Sequence, residues 1–91
     1  MDISLIKMVE REEDRGKAKW GHVDRTPTDL LAAILEETGE IAHAVNHDEG
    51  AWKVIQEIAE AMGVLSRLFE MIAPPDYLTG WNYSVESKQY S

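Results

Sequence analysis

Two long stretches of this chain, residues 27–46 and 51–72, repeat apolar side chains every three or four positions, and each is bounded by residues that fix its ends. The segment "RTPTD" opens the first. Thr26 is a natural N-cap, Pro27 takes the first helical position where its missing N–H is dispensable, and Asp29 falls in the electropositive first turn. The segment "NHDEG" interrupts the pattern, and "AWKVIQEIAEAMGVLSRLFEMI" resumes it until Pro74 and Pro75 end it. So short a break folds two helices back on each other, so the spacing predicts a helical hairpin. An earlier helix is predicted from Asp2 to about Trp20, carried by Ile3, Leu5, Ile6, Met8 and Val9 and closing in the charged "EREEDRGKAKW". The tail "APPDYLTGWNYSVESKQYS" has no period and is rich in turn formers, which divides the chain into a helical domain at 1–73 and an irregular tail at 74–91. The expected fold class is all-α.

A 91-residue chain buries only a modest core by itself. Three apolar stripes, two of them on helices with alanine-rich second faces, exceed what one thin three-helix unit can cover. A homodimer whose contact completes a four-helix bundle is therefore expected. There is no cysteine, which leaves oxygen and imidazole as the ligands for any metal. No apolar run approaches a membrane span, and "MDISLIKMVEREEDRGK" carries acids where a signal peptide has a basic start, so a cytoplasmic protein with no membrane partner is expected. A net charge of −8 argues against non-specific nucleic-acid binding and leaves room for a phosphate ligand bridged by metal.

The stretch "LEETGEIAHAV" crowds Glu36, Glu37 and Glu40 together, with no lysine or arginine anywhere from Leu30 to Val45. Solvated helix faces mix signs at i,i+4 spacing, so this face looks covered. At about 100° per residue, Leu30, Leu31, Ile34, Leu35, Ile41, Ala42 and Val45 form one stripe, with Glu37 and Glu40 beside it between Ala33 and Ala44. The third helix repeats the theme, with Glu57 and Glu60 on the side of Val64, Leu68 and Met71. Two acid pairs at i,i+3 on helices packed antiparallel can converge on a common point. Such a group repels itself unless cations occupy it, and hard divalent ions prefer these oxygen ligands.

Glu36-Glu37-x-x-Glu40 followed by Glu57-x-x-Glu60 resembles the metal-binding signature of the MazG-like all-α nucleoside triphosphate pyrophosphohydrolases, Glu-Glu-x-x-Glu then Glu-x-x-Asp. "EREEDRGKAKWG" upstream is similar to the charged helix of small bacterial and phage-type members, and the resemblance covers about residues 9 to 72. It implies an all-helical dimer or dimer of dimers that cleaves a nucleotide between its α- and β-phosphates. Glu37, Glu40, Glu57 and Glu60 would hold Mg²⁺, with Mn²⁺ as a substitute, and Glu36 would support them. Glu60 stands where the family pattern has Asp, which keeps an oxygen ligand and moves it out by one methylene. The tail after Met71 offers no match to the lysine, arginine and asparagine that many members place on phosphates.

The expected function is thus Mg²⁺-dependent hydrolysis of an NTP or dNTP to the monophosphate and pyrophosphate. Glu36 and Glu37 would serve catalysis by orienting or deprotonating a water, and Lys17, Lys19 and Trp20 would bind substrate through charge and stacking. The alternative is a non-enzymatic helical dimer that binds a divalent metal or a protein partner through the same acidic face. His22, His43 and His47 have no metal-ligand pattern with nearby acids. Gly39 and Gly63 cost helix propensity and read as points where helices approach closely, and "EREED" reads as a solvated surface.

Overall fold

The structure, a computed structural model, describes residues 1–20 and 25–77; the Trp20 side chain, His22 and the tail beyond Tyr77 lie outside the described residues. The chain forms helices α1 (Ile3–Trp20), α2 (Pro27–Asn46) and α3 (Ala51–Ile72), with no strand among the described residues. None of the helices is long and apolar enough to cross a membrane.

The predicted punctuation forms as expected. Asp2 Oδ1 accepts the Leu5 N–H at 3.0 Å and starts α1. At α2, Thr26 Oγ1 accepts the Asp29 N–H at 3.2 Å while Asp29 Oδ2 accepts the Thr26 N–H at 2.9 Å, so two otherwise orphaned donors are satisfied reciprocally. The turn into α3 passes through Asp48 at φ 54° and Gly50 at φ 96°, left-handed conformations that asparagine-like and glycine residues tolerate. Glu49 N–H returns to the Ala44 carbonyl at 3.0 Å and ties the turn to the end of α2.

Helix α3 is the central element, packed against α2 on one side and α1 on the other. Its buried positions divide accordingly: Glu57 and Ala61 lie about 40° apart toward α2, and Ala59 and Gly63 lie on the opposite side toward α1. A Cβ built on Gly63 would stand 3.3 Å from the Cβ of Glu12, so the expected close approach is real here and joins α1 to α3. The expectation for Gly39 fails, because a Cβ there meets nothing within 4 Å.

The apolar stripe expected on α2 also does not turn inward as a unit. Leu30 is buried and Ile34 and Ile41 are half-buried, but Leu31, Leu35, Ala42 and Val45 are exposed. The reason is side-chain size. Alanines at 44 and 61 let the two helices pack closely, so the seam takes Leu30 with the small and acidic line of α2 and leaves Leu31 and Leu35 outside. Among the described residues the buried apolar side chains are Leu30, Ala44, Ala59 and Ala61, of which Leu30 alone is large.

Candidate metal centre

The close α2–α3 seam brings the two acid pairs together. Glu37 and Glu40 on α2 and Glu57 and Glu60 on α3 each offer one carboxylate oxygen, and these oxygens lie within 4.8 Å of one another. Glu57 is 3% exposed, the one buried charged side chain among the described residues. Burying a carboxylate costs several kcal/mol in order of magnitude unless it is paired, and the chain supplies part of that pairing. Lys53 Nζ lies 2.9 Å from Glu57 Oε1, one helical turn earlier. Arg15 Nη2 reaches from α1 to Glu60 Oε1 at 3.2 Å while also contacting Glu12 at 2.7 Å. Gln56 Nε2 donates to the same Glu60 oxygen at 3.2 Å.

These cations hold one oxygen of each α3 acid and leave the rest of the cluster unbalanced. The Oε2 atoms of Glu37 and Glu57 are buried with no hydrogen-bond partner. Proton sharing runs in series through the cluster. Desolvation, then the fields of Glu40 and Glu60, pushes the Glu37 carboxyl up to about 7. Glu40 is raised by its hydrogen bond to Glu57 and then by desolvation. Burial also acts to raise Glu57, but the ammonium of Lys53 and the hydrogen bonds from Glu40 and Glu60 outweigh it and hold that carboxyl below its ordinary range. Glu57 is thus the ionised anchor and Glu37 the group that keeps its proton longest. A hard divalent ion fits this donor set, since it would replace shared protons with charge and give both orphaned oxygens a partner.

Of the other expected site residues, Glu36 is exposed and outside the cluster, acting on it through its field at Glu40. Lys19 lines a cavity of about 160 Å³ beside Glu37 and Glu60. Lys17 is turned elsewhere, 3.7 Å from Glu70. Trp20 ends α1, and its side chain lies outside the described residues.

Five contributors escaped the sequence reading. "EREED" is not wholly a solvated surface: Glu12 and Arg15 line the same cavity as Lys19, together with Arg67 from α3. No local signal marks Arg15, whose partner Glu60 lies 45 residues away. Lys53 was legible, standing at i,i+4 from Glu57. Glu49, in the interhelical turn, lies with Oε2 3.1 Å from His43 Nε2 and borders a second hollow with Glu40, Lys53 and Glu57.

No protein-family profile, curated protein or solved structure matches this chain.

Proposed function

We propose that the protein is a divalent-metal-dependent nucleoside triphosphate pyrophosphohydrolase, of the kind that the MazG-like resemblance implies, acting as a homodimer. The observation that supports this most strongly is the four-carboxylate cluster with two buried, unpartnered oxygens, set beside a cavity lined by Arg15, Lys19 and Arg67. Acids to hold a cation and bases to receive phosphate oxygens are what phosphoanhydride hydrolysis requires at one place.

Glu37, Glu40, Glu57 and Glu60 would hold Mg²⁺ or Mn²⁺, and a bound ion would neutralise phosphate charge and make a water more acidic. Lys53 keeps Glu57 ionised, and Gln56 and Arg15 fix one oxygen of Glu60. Arg15, Lys19 and Arg67 would face the polyphosphate, with arginine matching phosphate geometry through paired donors. Of the two acids expected to serve the water, Glu37 has an oxygen inside the cluster and takes that role, while Glu36 influences it through Glu40. Water adds at the α-phosphorus, the bond to the bridging oxygen breaks, and monophosphate and pyrophosphate leave.

The test is a panel of canonical and modified nucleotides incubated with protein and Mg²⁺, with both products measured. Stoichiometric release of monophosphate and pyrophosphate is expected for at least one nucleotide. Saturable Mg²⁺ binding with no turnover across the panel would favour the non-enzymatic metal-binding dimer. No Mg²⁺ binding would remove both readings.

A further inference from the structure

Contacts between α1 and α3 climb both helices together, Glu12 at Gly63, Gly16 at Arg67 and Lys17 at Glu70, so these two helices run parallel. Each supplies a glycine where the other supplies a long side chain. The glycines act differently. At Gly63 the atoms nearest an added Cβ include α1 backbone, so the missing side chain sets how closely the helices pack. At Gly16 an added Cβ would stand 2.9 Å from Arg67 Nη1, 3.5 Å from its Cζ and 3.6 Å from its Cδ, so the missing side chain sets where one charge sits. Arg67 is half-buried and, among the described residues, makes no ion pair or hydrogen bond. Arg15 contrasts with it, tied to Glu12 at 2.7 Å and to Glu60 at 3.2 Å.

We propose that Gly16 is a positioning residue: the side chain it lacks is the seat of the Arg67 guanidinium, which is thereby presented to the end of the substrate that leaves as pyrophosphate. The proposal rests on the pyrophosphohydrolase reading above and adds which end of the nucleotide the cavity takes and what holds its cation there. Size is the first argument. The cavity that Arg67 lines with Arg15, Lys19, Glu37 and Glu60 is about 160 Å³, below the roughly 300 Å³ at which pockets for whole small molecules begin. Its described lining holds no aromatic ring for a base to stack on. Such a hollow takes phosphate and leaves the nucleoside outside, and the end of a nucleoside triphosphate remote from the nucleoside is the end that departs. Donor supply is the second argument. An arginine placed by packing, with no acid holding it, keeps its charge and its planar fork of donors for an incoming anion. Order is the third. A long side chain already seated against Gly16 loses less conformational freedom when the anion arrives, which favours binding.

The experiment measures binding of inorganic pyrophosphate at fixed Mg²⁺ by calorimetry for the wild-type chain, Gly16→Ala, Arg67→Ala and the double variant, with thermal melting and Mg²⁺ titration alongside. Gly16→Ala should weaken pyrophosphate binding by about 10-fold or more, the worth of one hydrogen bond to a charged group. Its melting temperature and Mg²⁺ affinity should be no lower than wild type, because the displaced atoms end a flexible side chain and alanine suits a helix better than glycine. Arg67→Ala should lose at least as much, and adding Gly16→Ala to it should cost nothing further. A wild type that does not bind pyrophosphate overturns the proposal, as does undiminished binding in either single variant. So does an equal loss from Gly16→Ala in the Arg67→Ala background, or a Gly16→Ala chain that melts lower and binds Mg²⁺ more weakly, since Gly16 would then serve packing. The nucleotide panel reads the enzyme separately. Pyrophosphate binding lost in Gly16→Ala with no nucleotide turned over supports the seat and sinks the hydrolase, and turnover with Gly16→Ala matching wild type in pyrophosphate binding does the reverse.

Discussion

On one side of the α2–α3 hairpin four carboxylates offer oxygens within 4.8 Å of one another, and on the other Leu31, Leu35 and Leu65 stand exposed with no charge among them. Both sides raise the free energy of the isolated chain, for different reasons. The acidic side stores like-charge repulsion and unsatisfied polar atoms, which are short-ranged, stoichiometric and relieved by a cation of matching chemistry. The apolar side stores hydration of hydrocarbon, which is non-directional, proportional to area and relieved by any surface of complementary shape. Hence the acids can be assigned residue by residue, whereas the leucines act as a patch.

The largest expected separation comes from Glu57→Gln. Glu57 is the ionised anchor of the cluster, so this change should weaken Mg²⁺ binding and reduce pyrophosphate release at least 100-fold, roughly 3 kcal/mol of transition-state stabilisation. It also leaves the Lys53 ammonium without its carboxylate, so the metal-free chain should melt lower, and the sedimentation coefficient should not change. Unchanged turnover would reduce the acidic side to surface.

Gly63→Leu should destabilise the fold by about 2 kcal/mol in thermal or urea melts, because α1 at Glu12 has no room for the added side chain. A neutral result would mean that α1 does not pack here, and Arg15 would lose its route to Glu60.

Glu37→Gln should move metal-free stability the other way. The Glu37 carboxyl is raised to about 7, so the folded chain binds more protons than the unfolded one between about pH 4.5 and 7 and loses stability as pH rises through that window. The variant removes the loss and should be more stable at pH 8 by about 1 kcal/mol, a figure reduced for partial solvent screening, and its melting temperature should vary less with pH. Saturating Mg²⁺ should flatten the wild-type profile as well. Sodium at matched ionic strength should not, and an equal response to both ions would indicate general screening.

The smallest effect is expected from Gly39→Ala. Nothing lies within 4 Å of the added Cβ, so helix propensity alone should stabilise by up to about 1 kcal/mol. A destabilised variant would mean that the added Cβ does not stand in open space.

Sequence alone determined the helices and the members of the acidic cluster. Thr26, Pro27, Asp29, the "NHDEG" break and the Pro74-Pro75 pair act within one or two turns of themselves, so their consequences do not depend on the rest of the fold; α2 and α3 begin and end where those residues require. The acids were legible for a related reason. An i,i+3 pair shares a face whatever it faces, and a hairpin leaves few ways for two such faces to miss each other.

Which line of α2 turns inward was not legible, because periodicity marks Leu31 and Leu35 as apolar but does not say whether α3 offers them a surface or a close backbone. Ala44 and Ala61 on the seam settled it by their size, and Leu31 and Leu35 were left out while Leu30 was covered. The cations were decided in the same way. Arg15 reads as one more charge in "EREED" until Gly63, without a Cβ, lets α1 lie against α3 and carries its guanidinium to Glu60. Local sequence sets what each helix can present; the contact distance between helices, which depends on residues far apart in the chain, selects what it does present.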